Sequence, residues 1–313
     1  MLNFIVRRIV VGIVAIWVVS VLTFAGLNAA GGDVARKLLG ESATPQQVKS
    51  KQVELGLNRP LVSRYWDWLS HAVRGDFGRS WFDGQPVSNT IQTRLPTTLS
   101  VVAVTVLVVA VVSVLIGVTA AVRRGWIDRA LQLGSIGGAS VPQFIAAVIL
   151  VTIFAIHLRW LPATGYVPLG TSFSGWTKSI TLPVIALALA AIASAAQQVR
   201  SAVIAELSRD YVRTLQGRGL ARSEILFKHV LRGAAPAALT ILSLQFIGLL
   251  GGIVVIEQIF ALPGIGVLAV QSTSEGDTPV LMGIVVSTVT IVVVVNLIVD
   301  LAIGWLNPKA RLA

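Results

Sequence analysis

Long apolar runs that contain no charged side chain recur along the chain. A helix needs about 20 such residues to cross about 30 Å of hydrocarbon. Six runs are long enough, at residues 9–32, 95–122, 130–158, 179–199, 233–256 and 278–299. The pattern predicts an all-α, multi-pass membrane protein with six transmembrane helices.

Two of these runs contain a proline, Pro142 in the third and Pro183 in the fourth. Proline removes a helical hydrogen bond, but membrane helices tolerate it where neighbouring helices or Ser and Thr side chains satisfy the freed backbone groups. We therefore expect both helices to continue through their prolines.

The first run follows Arg7 and Arg8 and ends in small residues at 28–31, a pattern that also occurs in cleavable signal peptides. The apolar core of a signal peptide is only about 7 to 15 residues long. Because this run is longer, we expect it to remain as a transmembrane helix, which makes the number of spans even.

The composition agrees with a membrane protein. Hydrophobic residues make up 55% of the chain and charged residues 12%, whereas soluble domains contain about 25% charged residues. The formal net charge is +11. Such an excess is typical of nucleic-acid binding, of binding to an anionic membrane, or of the basic residues that membrane proteins keep in the cytosol.

The positions of the basic residues distinguish these possibilities. They cluster on one side of the predicted bundle, in the segments 7–8, 123–129, 200–232 and 309–311, whereas the short loops on the other side contain only Arg159 and Lys178. Basic residues of short loops stay in the cytosol, while a loop as long as 33–94 is translocated largely regardless of its charge. Both termini are therefore expected to be cytosolic, and the net charge requires no nucleic acid.

The long outer loop contains signals for two short helices. Thr44 and Pro45 form a typical helix start, and Gly56 follows the predicted helix 46–55 as a stop. A second helix is predicted from apolar and aromatic residues three or four apart, namely Leu61, Tyr65, Trp66, Trp68 and Leu69. We interpret this region as a packed cap on the bundle in preference to a substrate site.

The inner loop 200–232 is much longer than a simple connection between two helices requires. Residues 201–217 are compatible with one helix, with Glu206 and Asp210 on one face. Gly217 and Gly219 then interrupt it before a second helical run begins at Ala221. On physical grounds this projection either docks in a groove of a partner protein or lies as a basic, amphipathic stretch on lipid.

The residues that usually carry catalysis are absent or dispersed. The chain has no cysteine, its three histidines are far apart, and no Gly-x-x-x-x-Gly-Lys-Ser/Thr loop occurs, so no nucleotide site of that type is expected. Glu257 and Asp300, the acids near the predicted hydrocarbon, are predicted on opposite sides. We therefore expect no acid/base pair, no metal cluster and no enzymatic activity of the chain itself.

Polar side chains within the apolar runs are candidates for function, because each is costly in lipid unless it faces a partner or water. The candidates for a translocation path are Gln143, Gln245, Glu257, Asn296 and Asp300. For Asp300 we favour pairing with a basic residue of the inner surface. For Glu257 two roles remain open, orienting the following segment 258–264 or shaping an outer gate. Glycines in the third and fifth runs are interpreted mainly as sites of close helix packing.

Several short motifs occur in a characteristic order. They are DYVRTLQGRGL at 210–220, HVLR at 229–232 with Pro236, LPATGY at 161–166, EQIFALPGIG at 257–266 and NLIVD at 296–300. Over nearly its whole length the chain resembles the permease subunits of ABC importers for dipeptides and oligopeptides, specifically the B-type subunit.

This resemblance implies a type I ABC importer permease fold in the cell membrane. It also implies partners: a second, homologous permease, two ATPase subunits that bind ATP and Mg, an extracytoplasmic peptide-binding protein and a peptide substrate. The chain itself would bind no cofactor. The residues implied in coupling to the ATPases are Asp210, Tyr211, Arg213, Thr214, Leu215, Arg218, Gly219 and Leu220.

The sequence departs from the family pattern at a few positions. Leu215 and Gly217 stand where alanines are typical, and Gly217 should weaken the last helical turn by about 0.5 to 1 kcal/mol relative to Ala. Gly31 and Val34 stand where prolines are common. The expected organisation is a first span at 1–32, an extracytoplasmic loop at 33–94, and a five-helix core at 95–313 that includes the coupling loop 200–232.

Other functions remain open at this level. Similar permeases carry nickel chelates or glutathione. A secondary transporter or a channel is the alternative from another class, although such proteins usually show intramembrane charges or repeats with broken helices. A polytopic scaffold without transport is a third possibility.

Overall fold

The computed structural model describes residues 2–29, 34–123 and 125–306. Within these ranges the regular elements are helices, and an isolated antiparallel bridge joins Arg79 and Pro86. The α-helices are α1 Leu2–Ala29, α2 Val34–Leu39, α3 Pro45–Glu54, α4 Leu61–Ala72, α5 Val87–Arg123, α6 Trp126–Ser140, α7 Gln143–Leu150, α8 Phe173–Leu207, α9 Asp210–Gly217, α10 Arg222–Glu224, α11 Leu231–Ile259, α12 Ile265–Glu275 and α13 Thr278–Leu306. Two π-helical segments, Val151–His157 and Ile225–Val230, adjoin α7 and α11. The all-α prediction is confirmed.

Five helices are long and apolar enough to cross a membrane. They are Ile5–Ala29, Val87–Arg123, Phe173–Leu207, Arg222–Ile259 and Thr278–Leu306. They contain five of the six predicted runs, and the number of six spans and the cytosolic orientation of the termini stay predictions. Residues 30–33, where the first predicted span ends and the outer loop begins, and the basic residues Arg124, Lys309 and Arg311 lie outside the described residues.

The third predicted run does not form one continuous helix, so that prediction was wrong. Val141 is extended, with φ −89° and ψ 114°, and it separates α6 from α7. The ring of Pro142 clashes with a helical conformation of the preceding residue, and Pro142 itself is extended. Pro183, by contrast, lies inside α8 as predicted.

The segment Thr97–Leu262 forms one compact unit together with the described parts of the terminal segments, 2–5 and 295–306. Its central element is α8, which packs against α6, α7 and α11. The buried face of α8 is rich in alanine, including Ala186, Ala188, Ala191, Ala195 and Ala196. Small side chains let helix backbones approach closely in membranes, and this explains how one helix packs against several others.

The segments Val6–Pro96 and Pro263–Val294 form a second unit. Both helices predicted in the outer loop are confirmed as α3 and α4, and Thr44 forms a capping box with Gln47. Tyr65 of α4 is buried with Phe24 and Met282, and its hydroxyl group hydrogen-bonds to Ser20 at 2.8 Å. The helices α2 and α12 were not predicted.

Candidate functional site

The connection between α8 and α11 contains a separate short helix. Ser208 ends α8, Arg209 is extended with φ −71° and ψ 148°, and α9 begins at Asp210. The prediction of one helix over 201–217, with Glu206 and Asp210 on a common face, was therefore wrong. An acidic residue in the first turn of α9 complements the positive end of its dipole, which favours a new helix start here.

One side of α9 is anchored in an apolar cluster. Val212 is only 1% exposed and packs with Val199, Val203, Ile225 and Val230. Three predicted coupling residues are partly buried against the same cluster, namely Tyr211, Leu215 and Leu220. The helix is thus fixed to the end of α8 and to the π-helical segment that precedes α11.

The other side of α9 faces outward. The side chains of Asp210 and Arg213 are 99% and 80% exposed, and the closest distance between their charged groups is 4.0 Å. An ion pair that is so exposed contributes little to stability. The remaining predicted coupling residues, Thr214, Arg218 and Gly219, are exposed as well. This side is therefore free to contact another molecule.

Gly219 makes the turn that follows α9. Its φ of 80° lies in the left-handed region, which glycine adopts without the steric penalty of a Cβ atom. Its amide donates a hydrogen bond to the carbonyl of Gln216 at 2.9 Å, and Leu220 N–H donates to Leu215 at 3.3 Å. The interruption of the helix that was predicted at Gly219 is confirmed.

A carboxylate to which the sequence assigned no functional role lies beside α9. Glu206, near the end of α8, is 8% exposed. Its Oε1 accepts a hydrogen bond from the hydroxyl group of Tyr211 at 3.0 Å, and its Oε2 pairs with Arg209 Nε at 3.0 Å. Burial, the hydrogen bond to Glu206 and the charge of Glu206 together raise the pKa of Tyr211 to about 12, against a smaller opposing effect of Arg209.

The polar candidates for a path lie on three helices, α7, α11 and α13, and do not form one cluster. Gln245 and Glu257 both belong to α11, and their positions differ by about 18 Å along the axis at 1.5 Å per residue. Asn296 of α13 accepts a hydrogen bond from Ser243 of α11. The amide oxygen of Gln143 in α7 lies against Gly252 of α11. Asp300 is partly buried one turn beyond Asn296.

Glu257 is completely buried at the end of α11. Its carboxylate accepts a hydrogen bond from the hydroxyl group of Thr98 in α5, and its carbonyl accepts one from Leu262 N–H at 2.9 Å. Within the turn, Ala261 has a φ of 49°, and the carbonyl of Phe260 accepts a hydrogen bond from Gly165 at 2.9 Å. Two of the motifs recognised in the sequence, 161–166 and 257–266, therefore meet here.

The predicted close approach of glycines holds at some positions only. A Cβ atom on Gly138 would lie 3.1 Å from that of Ala193, and one on Gly252 would lie 2.5 Å from Gln143 Oε1. On Gly248 or Gly251 such an atom would have no described residue within 4 Å, apart from the neighbouring residues of α11 itself. Among the described residues no group of three or more His, Asp or Glu side chains is arranged to hold a metal ion.

Comparison with known proteins covers both halves of the chain. Residues 113–312 match the family described as binding-protein-dependent transport system inner membrane component, and residues 1–102 match the N-terminal part of such membrane components. A probable peptide ABC transporter permease protein of Sinorhizobium fredii is 37% identical over 98% of this chain and 99% of its own length.

Two further relatives and one solved structure extend the comparison. A putative peptide transport system permease protein of Brucella abortus is 37% identical over 98% of both chains. The glutathione transport system permease protein GsiC of Escherichia coli is 33% identical over 99% of both chains. One chain of the inward-facing MetNI methionine ABC transporter superposes with a TM-score of 0.56 and 17% identity, covering 69% of this chain and 96% of that chain. The last similarity concerns the fold.

Proposed function

Because the chain belongs to the family of binding-protein-dependent transport system inner membrane components and is a peptide-type ABC importer permease of the inner membrane, we propose that it carries dipeptides or oligopeptides inward as a B-type subunit. It pairs with a second, homologous permease, and the two form the path between them. An extracytoplasmic binding protein delivers the peptide, and two ATPase subunits drive the cycle.

The two sides of α9 are the observation that carries this proposal. Val212 anchors the helix in the chain's own core, whereas Asp210 and Arg213 are exposed. An amphipathic helix of this kind is suited to a groove on a partner protein. The proposal assigns that groove to an ATPase subunit, with Asp210, Arg213, Thr214 and Arg218 as contacts and Tyr211, Leu215, Gly219 and Leu220 as the residues that hold the helix in place.

The chain supplies positioning and a path, and the ATPases supply energy. ATP and Mg bind to the ATPase subunits, and this chain binds no cofactor and makes or breaks no covalent bond. When the ATPases close, α9 moves with them. The apolar contacts of Val212 with Ile225 and Val230 pass that displacement to α11, since packed elements shift as units. The path then opens alternately to the two sides of the membrane.

The proposed path follows α11, with Gln143, Gln245, Glu257, Asn296 and Asp300 as its polar residues. The same helix supplies the contact with the second permease. Apart from α11 itself, no described residue lies within 4 Å of a Cβ atom placed on Gly248 or Gly251. The side chains of Leu244 and Ile247 on the same helix are exposed. Glycines on a helix surface permit a second helix to approach closely in a membrane.

A second candidate cargo is glutathione, because GsiC of Escherichia coli is similar over nearly the full length. Glutathione is itself a small peptide, so the same kind of path serves either substrate. A competition experiment tests whether the permease carries glutathione as well as dipeptides. Unlabelled glutathione inhibits the uptake of a labelled dipeptide only if both use this permease.

The proposal is tested by copurification followed by uptake. The tagged chain is purified from its native membranes in mild detergent, and the chains that accompany it are identified by mass. The expected companions are a second permease and ATPase subunits, and the reconstituted complex accumulates a labelled dipeptide only with ATP and the binding protein. Purification of the chain alone, or uptake that follows an ion gradient without ATP, would contradict the proposal and favour a secondary transporter.

A further inference from the structure

The carboxylate of Glu206 is enclosed by three elements that meet at the base of α9. Glu206 belongs to the last turn of α8. Its carboxylate accepts a hydrogen bond from Tyr211 in the first turn of α9 and lies against Gly233 in the first turn of α11. We call Glu206, Arg209, Tyr211 and Gly233 the Glu206 cluster. Sequence reasoning gave this glutamate no role.

Gly233 leaves only enough room for the glutamate side chain. A Cβ atom at Gly233 would lie 2.3 Å from Oε1, 2.6 Å from Cδ and 2.9 Å from Cγ of Glu206. The close distances therefore include the Cγ atom of Glu206 as well as its carboxylate. An alanine here would therefore force the whole side chain away from Tyr211, and not merely rotate its terminal oxygen atoms.

The hydrogen bond and the ion pair of Glu206 are directional interactions, unlike the apolar packing beside them. Contacts such as those of Val212 are non-directional, and an apolar cluster tolerates small displacements. A hydrogen bond to a charged acceptor is directional and about twice as strong as one between neutral groups. A buried carboxylate that loses its partners is costly, so the orientation of α9 relative to the last turn of α8 is strongly constrained.

We propose that Glu206 is a positioning residue for transport: it fixes α9 against the first turn of α11, so that a displacement of α9 is passed to α11. This rests on the proposed function, in which an ATPase subunit moves α9. Tyr211 is the link, because its hydroxyl group is the donor, and a tyrosine hydroxyl group stays protonated throughout the physiological range. Without the cluster, α9 still binds the ATPase, but its motion is partly lost.

The variants separate the contributions. Tyr211→Phe removes the hydroxyl group that donates to Glu206. Glu206→Gln keeps an acceptor for Tyr211 but loses the negative charge, and Glu206→Ala removes the acceptor and the charge. Gly233→Ala displaces the side chain of Glu206 without changing its chemistry. Two matched controls are available. Glu224→Gln alters another glutamate of the same loop, whose partner is Lys228. Gly137→Ala adds a methyl group at a position where no described residue outside α6 lies within 4 Å.

The test uses the complete complex in proteoliposomes with its binding protein and a labelled dipeptide. The measured quantity is the number of peptides imported per ATP hydrolysed. The expected result is a fall of at least fivefold for Glu206→Ala and Gly233→Ala while ATP hydrolysis continues, and a smaller fall for Tyr211→Phe. Glu206→Gln should retain more coupling than Glu206→Ala, and both controls should match the wild type.

Two outcomes overturn the proposal. One is an unchanged ratio in Glu206→Ala and Gly233→Ala. The other is failure of both Tyr211→Phe and Glu206→Gln to assemble, since that would assign the cluster to folding alone. If the wild-type complex imports no dipeptide, the proposed function fails, and hydrogen exchange in α9 then decides on Glu206: exchange at least tenfold faster in Glu206→Ala supports the positioning role, and unchanged exchange refutes it.

Discussion

Gly117 of α5 lies directly against the carbonyl oxygen of Ala196 in α8. A Cβ atom at Gly117 would come within 2.7 Å of that oxygen and 3.0 Å of the backbone nitrogen of Arg200. Both atoms belong to the backbone of α8, so no side-chain rotation can relieve the clash. The two helices are therefore in contact at a point where only glycine fits.

Gly117→Ala should destabilise the protein by about 1 to 3 kcal/mol, the usual cost of forcing extra atoms into a packed interface. The measurement is the thermal unfolding temperature in detergent, compared with Gly137→Ala as a matched control. Gly137 has open space around it, so the control should unfold at or above the wild-type temperature because alanine favours helix. Equal unfolding temperatures for the two variants would show that α5 and α8 do not touch there.

The two glycines at the end of α9 should respond oppositely to alanine. Gly217 is helical and has open space around it, so Gly217→Ala should slow hydrogen exchange of the α9 amides. Gly219 has a φ of 80°, and a side chain in that region costs about 1 to 2 kcal/mol, so Gly219→Ala should speed it. Exchange that changes in the same direction for both variants would contradict the different roles of these glycines.

The hydroxyl group of Tyr211 should lose its proton at a higher pH than that of an ordinary tyrosine. Its pKa is raised from 10.0 to about 12, with burial as the largest cause. A group whose pKa is higher in the folded state than in the unfolded state stabilises the folded protein fully at any pH below its unfolded pKa. This stability is lost as the pH rises through the folded pKa. For Tyr211 the loss is expected between pH 10 and about 12. The absorbance of tyrosinate, as the difference between the wild type and Tyr211→Phe, reports this titration. A midpoint near 10 in the difference spectrum would mean that the phenol is neither buried nor held by Glu206.

A single cysteine at Gln245 should report movement of α11. The chain has no native cysteine, so the introduced thiol is its only reactive site for maleimides. In the complete complex its labelling rate by an aqueous reagent should differ between the ATP-bound and nucleotide-free states. Phe246 is buried, so Phe246→Cys is the control that should stay protected in both. A protected thiol at Gln245 in both states would remove this residue from the path.

Most of the helices were predictable because their causes are local or depend only on transfer to lipid. Charge-free runs of sufficient length indicate spans regardless of the neighbours. The start of α3 at Thr44 and Pro45 and the turn at Gly219 likewise follow from the residues themselves. The sequence motif at 210–220 also located the short helix α9, which begins at Asp210.

The remaining features depend on tertiary contacts that the linear pattern does not contain. Pro142 and Pro183 occur in similar apolar runs, yet only the first separates two helices. The break at Ser208 and Arg209 was missed because 201–217 reads as one continuous helix. Glu206 resembles a surface acid in the sequence, and its burial becomes apparent only when Tyr211 and Gly233 are brought to it. An acid followed by a tyrosine five positions later is too common to have served as a signal.

The contact between α9 and an ATPase subunit is tested most directly by crosslinking. A unique cysteine is placed at Arg213, whose side chain is 80% exposed, and the complete complex is treated with a short thiol-to-amine crosslinker. Arg129→Cys, at an exposed position of α6, is the matched control. We expect a crosslinked product that contains the ATPase from Arg213→Cys and little or none from Arg129→Cys. An intact complex in which Arg213→Cys gives no more product than the control would contradict the assignment of α9 as the helix that couples this permease to ATP hydrolysis.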